Sequence, residues 1–430
     1  MDSDKTLALV GGEPLIKQNF KPYRSIGKEE LKAVKKVVKS GNLSQFIGAP
    51  GPDFLGGPMV RKFEKMWAKK FGVKHAISVN SNTSGLIAAL GACELEPGDE
   101  VLVSPWTMSA DVAAILNWNC IPVFVDINSQ DYNIDPQELP KHITSRTKAL
   151  LITDIFGTPA QMGRIKAFLK DRPDIKIISD SAQAPWSKTL DGTLAGTQGD
   201  MGVYSLNYHK HIHTGEGGMV VTNSDYLARK LQLIRNHAES AVQQGESFAS
   251  IIGYNFRLGE IEAAIGIEQL KKLEPIVKER QEIAEKLYDG TAGKYNYLDQ
   301  VIRRGEYCSF YLFPLEYSKS TTGVSRKIYV DALKAEGLDC VVEGYQNIHR
   351  LKSIVAKRAY GSGNFPWSLT ERGFDIKYGE GTCPVAERMH DRDFIYIAMC
   401  KYKFSKKEVK QTIKVFEKVH NNMHVLRRLR

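Results

Sequence analysis

The chain has 430 residues, with 59 lysines and arginines against 49 aspartates and glutamates, a formal charge of +10. A hydrophobic share of 42% excludes disorder throughout, and the length suits two or three domains. No run approaches ~18 apolar residues, which excludes a membrane-spanning helix, and the acidic start MDSDKTLALVGGEPL is no signal peptide, so a cytoplasmic protein is expected.

Residues 28–39 carry apolar side chains at helical spacing, and Leu31, Val34, Val37 and Val38 are expected to share one face. The Gly/Pro-rich stretch 47–58, IGAPGPDFLGGP, reads as a loop, and 59–71 as another amphipathic helix. From Ala76 short apolar runs alternate with helical segments: HAISV, EVLVSP, IPVFVDI, KALLITD, KIISD, GVYSL and GMVVTN. Most are near-continuously apolar, as strands buried on both faces are. The alternation predicts an α/β fold with a mostly parallel sheet. Only a loop holding Lys210 separates the last two runs, too short for a crossover helix. A long helical stretch over 258–290 leaves the sheet region. Mixed elements such as SFYLFPLEY follow, and FSKKEVKQTIKVFEKVHNN closes the chain as a helix. The expected division is a large domain over 1–275, N-terminal segment included, and a smaller α+β domain over 276–430.

Six cysteines, Cys93, Cys120, Cys308, Cys340, Cys383 and Cys400, form no CxxC pair and no zinc-like spacing with histidine. They are expected as free thiols in a reducing compartment. The basic residues spread along amphipathic segments and do not cluster with aromatics. That predicts solvated helix faces and attraction of an anionic small substrate, with no nucleic-acid binding.

In open α/β sheets, ligands bind beyond the carboxyl ends of the strands. Four strand ends here carry polar residues: SVNSNTSG, SPWTM, SDSAQ and SLNYHKHIHTGEGG. SNTSG precedes a helix, whose first N–H groups would accept an anion. Simple N-capping by Asn82, Thr83 or Ser84 is the alternative. Asp180 ends a buried strand, which is costly unless it pairs with a cation such as a protonated heterocycle nitrogen. Capping of the next turn by Asp180 or Ser181 is the other reading. Gln183, three residues on, would reach a neighbouring cofactor oxygen. Lys210 follows a strand directly and precedes glycines that permit close backbone approach, a context suited to a Schiff-base lysine. His209, His211 and His213 lack a matching carboxylate or cysteine pattern, so no metal is expected. A place for His209 or His211 in a ligand pocket stands against a packing role.

SLNYHKHIHTGEGGMVVTN resembles the lysine segment of the DegT/DnrJ/EryC1/StrS sugar aminotransferases, pyridoxal phosphate (PLP) enzymes of the fold-type-I aminotransferase architecture. The resemblance covers nearly the whole chain in order. VGGEPL resembles the family's entry segment, and SNTSGL stands where the family has SGTAAL. SPWTMSADVAAILNWNCIPVFVDI is similar to its next strand–helix–strand unit, and SDSAQA to its DAAQA motif. GYNFRLGEIEAAIGIEQL is similar to its GYNxR segment, and CPVAER with the closing helix to its C-terminal part. The resemblance implies that Lys210 binds PLP covalently and shuttles the proton. It implies that Asp180 pairs with the pyridinium nitrogen, keeping the ring an electron sink. Gln183 would approach the ring hydroxyl, and Thr83, Ser84 and Ser205 would hold the phosphate. Asn82 replaces a family glycine in that phosphate turn. Asn255 would reach the phosphate of a partner subunit, giving a homodimer with shared active sites, and Arg257 would contact substrate or the interface. The family's aromatic residue over the ring falls on Met108, with Trp106 as the other candidate.

The implied activity is transfer of an amino group from L-glutamate or L-glutamine to a keto sugar, nucleotide-linked keto sugar or keto cyclitol. One alternative is a PLP-dependent sugar dehydratase of the same superfamily, which carries histidine at the lysine position. The other is a non-catalytic regulator that keeps the fold.

Overall fold

The computed structural model describes residues 6–245, 251–300 and 307–429. All seven apolar runs are strands of one sheet: β1 (His75–Val79), β2 (Glu100–Val103), β3 (Ile121–Phe124), β4 (Thr147–Thr153), β5 (Lys176–Asp180), β6 (Met201–Ser205) and β7 (Gly218–Thr222). Their order is β1-β7-β6-β5-β4-β2-β3. The pairs β3–β2, β2–β4, β4–β5 and β5–β6 are parallel, and β7 runs antiparallel to both β6 and β1. Only β7 is therefore reversed. The carboxyl ends of the other six share one edge of the sheet with the start of β7, and this alone gathers the four polar strand ends.

Helices cover both faces. On one side α3 (Asn82–Ala92), α4 (Ser109–Asn117) and α5 (Asp225–Arg235) bury Leu86, Leu90, Ile115 and Leu231 against Val79, Val103, Ile178 and Val220. On the other, α2 (Pro58–Phe71) and α6 (Glu260–Gly290) set Phe63, Trp67, Ile267 and Leu270 against Tyr204, Met219 and Val221. The period-2 alternation along β6 and β7 assigns each residue to one of these cores.

A second, antiparallel sheet holds β8 (Leu298–Asp299), β9 (Phe313–Tyr317), β10 (Val341–Glu343) and β11 (Phe394–Ile397) in the order β10-β11-β9-β8. Its core includes side chains of α7 (Arg326–Ala335) and α8 (Lys406–Asn421). Ser405 caps α8, in a capping box with Glu408. The helix α6 feeds both cores, with Leu270 in the first and Ala284 and Leu287 in the second, so residue 275 falls inside one continuous helix.

Two sequence readings differ from the structure. Leu7 and Ile16 pack into the second core, although the N-terminal segment was expected with residues up to 275. Polar anchoring explains it: the N–H groups of Ala8 and Leu15 donate to the Glu336 carboxylate, and that of Ile16 to the Glu336 carbonyl. In α1 (Lys28–Ser40), Val37 is buried, but Leu31 is 70% and Val38 55% exposed. The buried side of α1 is set by Glu30, 1% exposed, which accepts from Lys272 Nζ and Gln269 Nε2 on α6. All six cysteines are free. Among the described residues no helix is long and apolar enough to cross a membrane.

Candidate active site

The β6–β7 connection folds back on itself. The Thr214 N–H donates to the Leu206 carbonyl and the Lys210 N–H to the Asn207 carbonyl. This turn sends Lys210 inward, 8% exposed, with Nζ 4.5 Å from the centroid of the Tyr311 ring. Burial lowers the Lys210 pKa, and the nearby Asp180 charge opposes that shift. The neighbouring histidines diverge from it. His211 is fully buried, and its Nε2 donates to the Ser309 carbonyl at 2.7 Å. His209 is half-buried on the cleft wall, and burial and the Lys210 charge push its pKa down to about 4, so it is neutral near pH 7. Among the described residues no group of histidine, cysteine and carboxylate side chains is arranged to hold a metal ion.

Asp180 closes β5 and is 4% exposed. Its Oδ1 accepts from Asn82 Nδ2 at 3.2 Å and from the Ala182 N–H at 3.0 Å. Burial raises its pKa despite those donors and the attraction of Lys210. Gln183 is held on both sides: Nε2 donates to the Tyr345 hydroxyl at 3.2 Å, and Oε1 accepts from the Phe156 N–H at 3.0 Å.

The SNTSG turn starts α3. Its cap is Ser81, whose Oγ accepts from the Ser84 N–H at 3.0 Å. The alternative reading of this turn, N-capping by Asn82, Thr83 or Ser84, falls one to three residues past the actual cap. Asn82 turns to Asp180, while the Asn82 and Thr83 amides, ahead of the capped Ser84 amide, have no intrahelical acceptor, as in any N-terminal turn. Ser205 is the register partner of Gly218 on β7. A Cβ on Gly218 would lie 2.7 Å from the Ser81 carbonyl oxygen and 2.9 Å from the Asn82 nitrogen. The bare backbone of β7 thus lies flush against the turn holding Thr83 and Ser84. Gly218→Ala should open this cradle at about 1–3 kcal/mol, the range of overpacking. Its signature is a lower melting temperature together with faster loss of PLP on dialysis. A variant matching wild type in both would show that the close approach is dispensable.

Of the two ring-covering candidates, Trp106 is committed elsewhere. It is fully buried, its indole N–H donates to Asn347 Oδ1 at 2.8 Å, and it packs with Tyr132, Phe156, Tyr345 and Phe394. Met108 stands 65% exposed and lines a separate cavity that shares Tyr345 and Tyr396 with the cleft near Lys210. Asn255 is exposed, and its carbonyl accepts from Asn80 Nδ2 at 3.3 Å, just before the SNTSG turn. Arg257 meets His237.

Residues outside the sequence reading complete the site. A cleft of about 600 Å³, reached from Lys210 through Tyr311, is lined by Tyr311, Tyr345, Tyr396 and Tyr402, with Tyr208 and His209 from the lysine loop. The only sequence signal of the first four is the tyrosine content of segments far from the strand ends. Asp111 on α4 is fully buried, and its Oδ2 accepts from Thr107 Oγ1 at 2.7 Å and Thr153 Oγ1 at 3.1 Å. Its signal was a carboxylate among small apolar residues in SADVAAIL.

These groups fit PLP. A buried lysine stands by a buried strand-end carboxylate, and a helix N-terminus meets a glycine-tight cradle with Ser205 beside it. Comparison with known proteins agrees. Residues 24–393 match the DegT/DnrJ/EryC1/StrS aminotransferase family. The chain is 27% identical, over 98% of its length and 99% of the other, to the putative L-glutamine:3-amino-2,3-dideoxy-scyllo-inosose aminotransferase of Micromonospora echinospora. It is 33% identical, over 67% of its length and 78% of the other, to the GDP-4-keto-6-deoxy-D-mannose 3-dehydratase of an Escherichia coli O55:H7 strain. The solved aminotransferase of Psychrobacter cryohalolentis superposes with a TM-score of 0.79 at 25% identity, covering 94% of this chain and all of that one. The chain belongs to the DegT/DnrJ/EryC1/StrS aminotransferase family, with the fold-type-I architecture and PLP as cofactor.

Proposed function

We propose that the protein moves an amino group from L-glutamate or L-glutamine to the keto group of a sugar, a nucleotide-linked sugar or a cyclitol. One observation carries the choice within the family. Lys210 sets its Nζ over the ring of the cleft-lining Tyr311, whereas the adjacent His211 is turned away into a hydrogen bond with the Ser309 carbonyl. The dehydratase alternative calls for histidine at the reacting position, and here that position is a lysine.

Each group then has a task. PLP, when bound, supplies an electron sink and a carrier for the amine. Lys210 would anchor it, and once the donor's amine has displaced it, the freed Lys210 amine would take the proton from the donor's α-carbon and, in the second half-reaction, deliver a proton to the acceptor carbon that gains the amine. Asp180 holds a positive charge on the ring nitrogen. The α3 amides, Thr83, Ser84 and Ser205 hold the phosphate, with Asn82 bracing Asp180. The bonded pair Gln183 and Tyr345 would approach the ring hydroxyl, and Met108 would be the residue to cover the ring. The tyrosine-lined cleft gives flat surfaces and hydroxyls, suited to a polyhydroxylated ring.

A screen of keto-sugar and keto-cyclitol acceptors with each donor, read by mass, tests the assignment. A product in which the carbonyl oxygen has been replaced by an amine is expected. A product that keeps its carbonyl, lacks a neighbouring hydroxyl and carries no new nitrogen would establish the dehydratase instead. A purified protein that stays colourless with added PLP would support the regulator.

Assembly is part of the proposal. Asn255 is exposed beside its own phosphate turn, close enough to the surface to serve a second copy. Mixing inactive Lys210→Ala with inactive Asn255→Ala protein should restore up to about a quarter of the wild-type rate, because random pairing gives mixed dimers holding one intact site. No recovery on mixing, with subunit exchange verified, would leave each site within one chain.

A further inference from the structure

Asp111 is the one buried carboxyl of the site that the reaction does not call on. It lies in the first turn of α4, directly behind Asp180. Thr153, which donates to its Oδ2, is the register partner of Asp180 on the adjacent strand. Its other oxygen, Oδ1, receives no donor from any hydroxyl, amide or backbone group. The group beside it is Asp180, which Thr153 brings alongside by bonding Asp111 from the paired position on β4. Two carboxylates offer only acceptors, so any bond between these neighbours would require a proton on one of them.

The surroundings decide which. Asp180 already accepts from Asn82 and the Ala182 N–H and faces the Lys210 cation, all of which favour its charged form. Asp111 meets the hydroxyls of Thr107 and Thr153 and the negative charge of Asp180, with Tyr345 as a further titratable neighbour. We propose that Asp111 is a protonated carboxylic acid that donates from Oδ1 to Asp180, fixing the orientation and the negative charge of the carboxylate that holds the cofactor's ring nitrogen. Burial and the Asp180 charge both drive the Asp111 pKa upward, in the same sense. Asp111 is thus a positioning residue, one bond removed from the cofactor, and it completes a chain from Thr107 and Thr153 through Asp111 to Asp180. The inference rests on the role given to Asp180 but not on the identity of donor or acceptor.

Two measurements test it without turnover. The infrared difference between wild type and Asp111→Asn, taken with and without PLP, should reveal the carbonyl band of a protonated carboxylic acid that only the wild type has. The PLP dissociation constant should separate two variants. Asp111→Asn keeps a donor, since its amide can replace the acid proton, and should stay within about threefold of wild type. Asp111→Val has none and should bind about tenfold or more weakly, the scale of one hydrogen bond to a charged group. Absence of the acid band overturns the proposal, as does equal weakening in both variants or unchanged binding in Asp111→Val. If Asp111→Val does not fold, the infrared comparison on Asp111→Asn still decides. Loss of the Asp180 role would appear separately, as an Asp180→Asn enzyme of normal activity with the acid band still in place.

Discussion

Lys210→Ala is expected to abolish turnover, by at least about 10³-fold, because one amine supplies both the covalent anchor and the proton transfers. PLP should still bind through the α3 amides, Thr83, Ser84 and Ser205, which do not depend on the lysine. Borohydride treatment of the wild type should attach the cofactor to the peptide carrying Lys210 and to no other. The pH dependence of PLP capture follows from the burial of Lys210. Only the neutral amine attacks a carbonyl, and the folded pKa is lowered, so capture by the apoprotein should reach half its maximal rate below the ordinary lysine value of about 10.4. Incubated with PLP and the aminated product, the variant should retain both, and crystals of that complex would identify the acceptor. Wild-type turnover in Lys210→Ala, or labelling of another lysine in the native enzyme, would overturn the assignment.

The strands, and the buried Asp180 and Lys210 at their ends, were legible because their signals are local. A strand buried on both faces must be apolar along its length, so KALLIT and KIIS announce themselves, and a charge closing such a run stands out as Asp180 does. Lys210 stood out because it filled a loop too short for a crossover. What escaped depends on partners far along the chain. Hydrophobic periodicity placed Leu31 and Val38 inward, but the buried side of α1 follows an ion pair between Glu30 and Lys272. Trp106 was a candidate for the ring face because its indole is large and near the strand end. Its partner Asn347, 241 residues away, draws it into the core instead. Ser81 is the cap instead of the alternative candidates Asn82, Thr83 and Ser84 because the chain turns one residue earlier than the helical pattern begins. Asp111 is a carboxylate in an apolar helix, and its meaning appears only when β4 and β5 bring Thr153 and Asp180 beside it.

Asp180→Asn separates the carboxylate's charge from its shape. Asparagine keeps an oxygen for the Asn82 and Ala182 donors and nearly the same volume, so the strand end should hold its form. The charge opposite the ring nitrogen is lost, and turnover should fall by about 10²–10³-fold or more, the scale of one preorganised electrostatic contact. Stability should move the other way. Burial raises the folded pKa of Asp180 above its unfolded value, so the folded state holds its proton more tightly. The stability this carboxyl contributes is full below the unfolded pKa and is lost as pH rises through the folded one. Asparagine carries no such loss. The apoprotein of Asp180→Asn is therefore expected to melt at or above the wild-type temperature at pH 7, with the gap closing as pH falls into the carboxyl range. Lys210 loses its negative neighbour in this variant, and it meets that by shedding its proton more readily, which leaves no buried cation to destabilise the fold. A variant slow in turnover yet equally or more stable without cofactor is the expected pair of results. Near-normal turnover would remove Asp180 from the chemistry, and a large drop in apoprotein melting temperature would make its carboxylate a structural element instead.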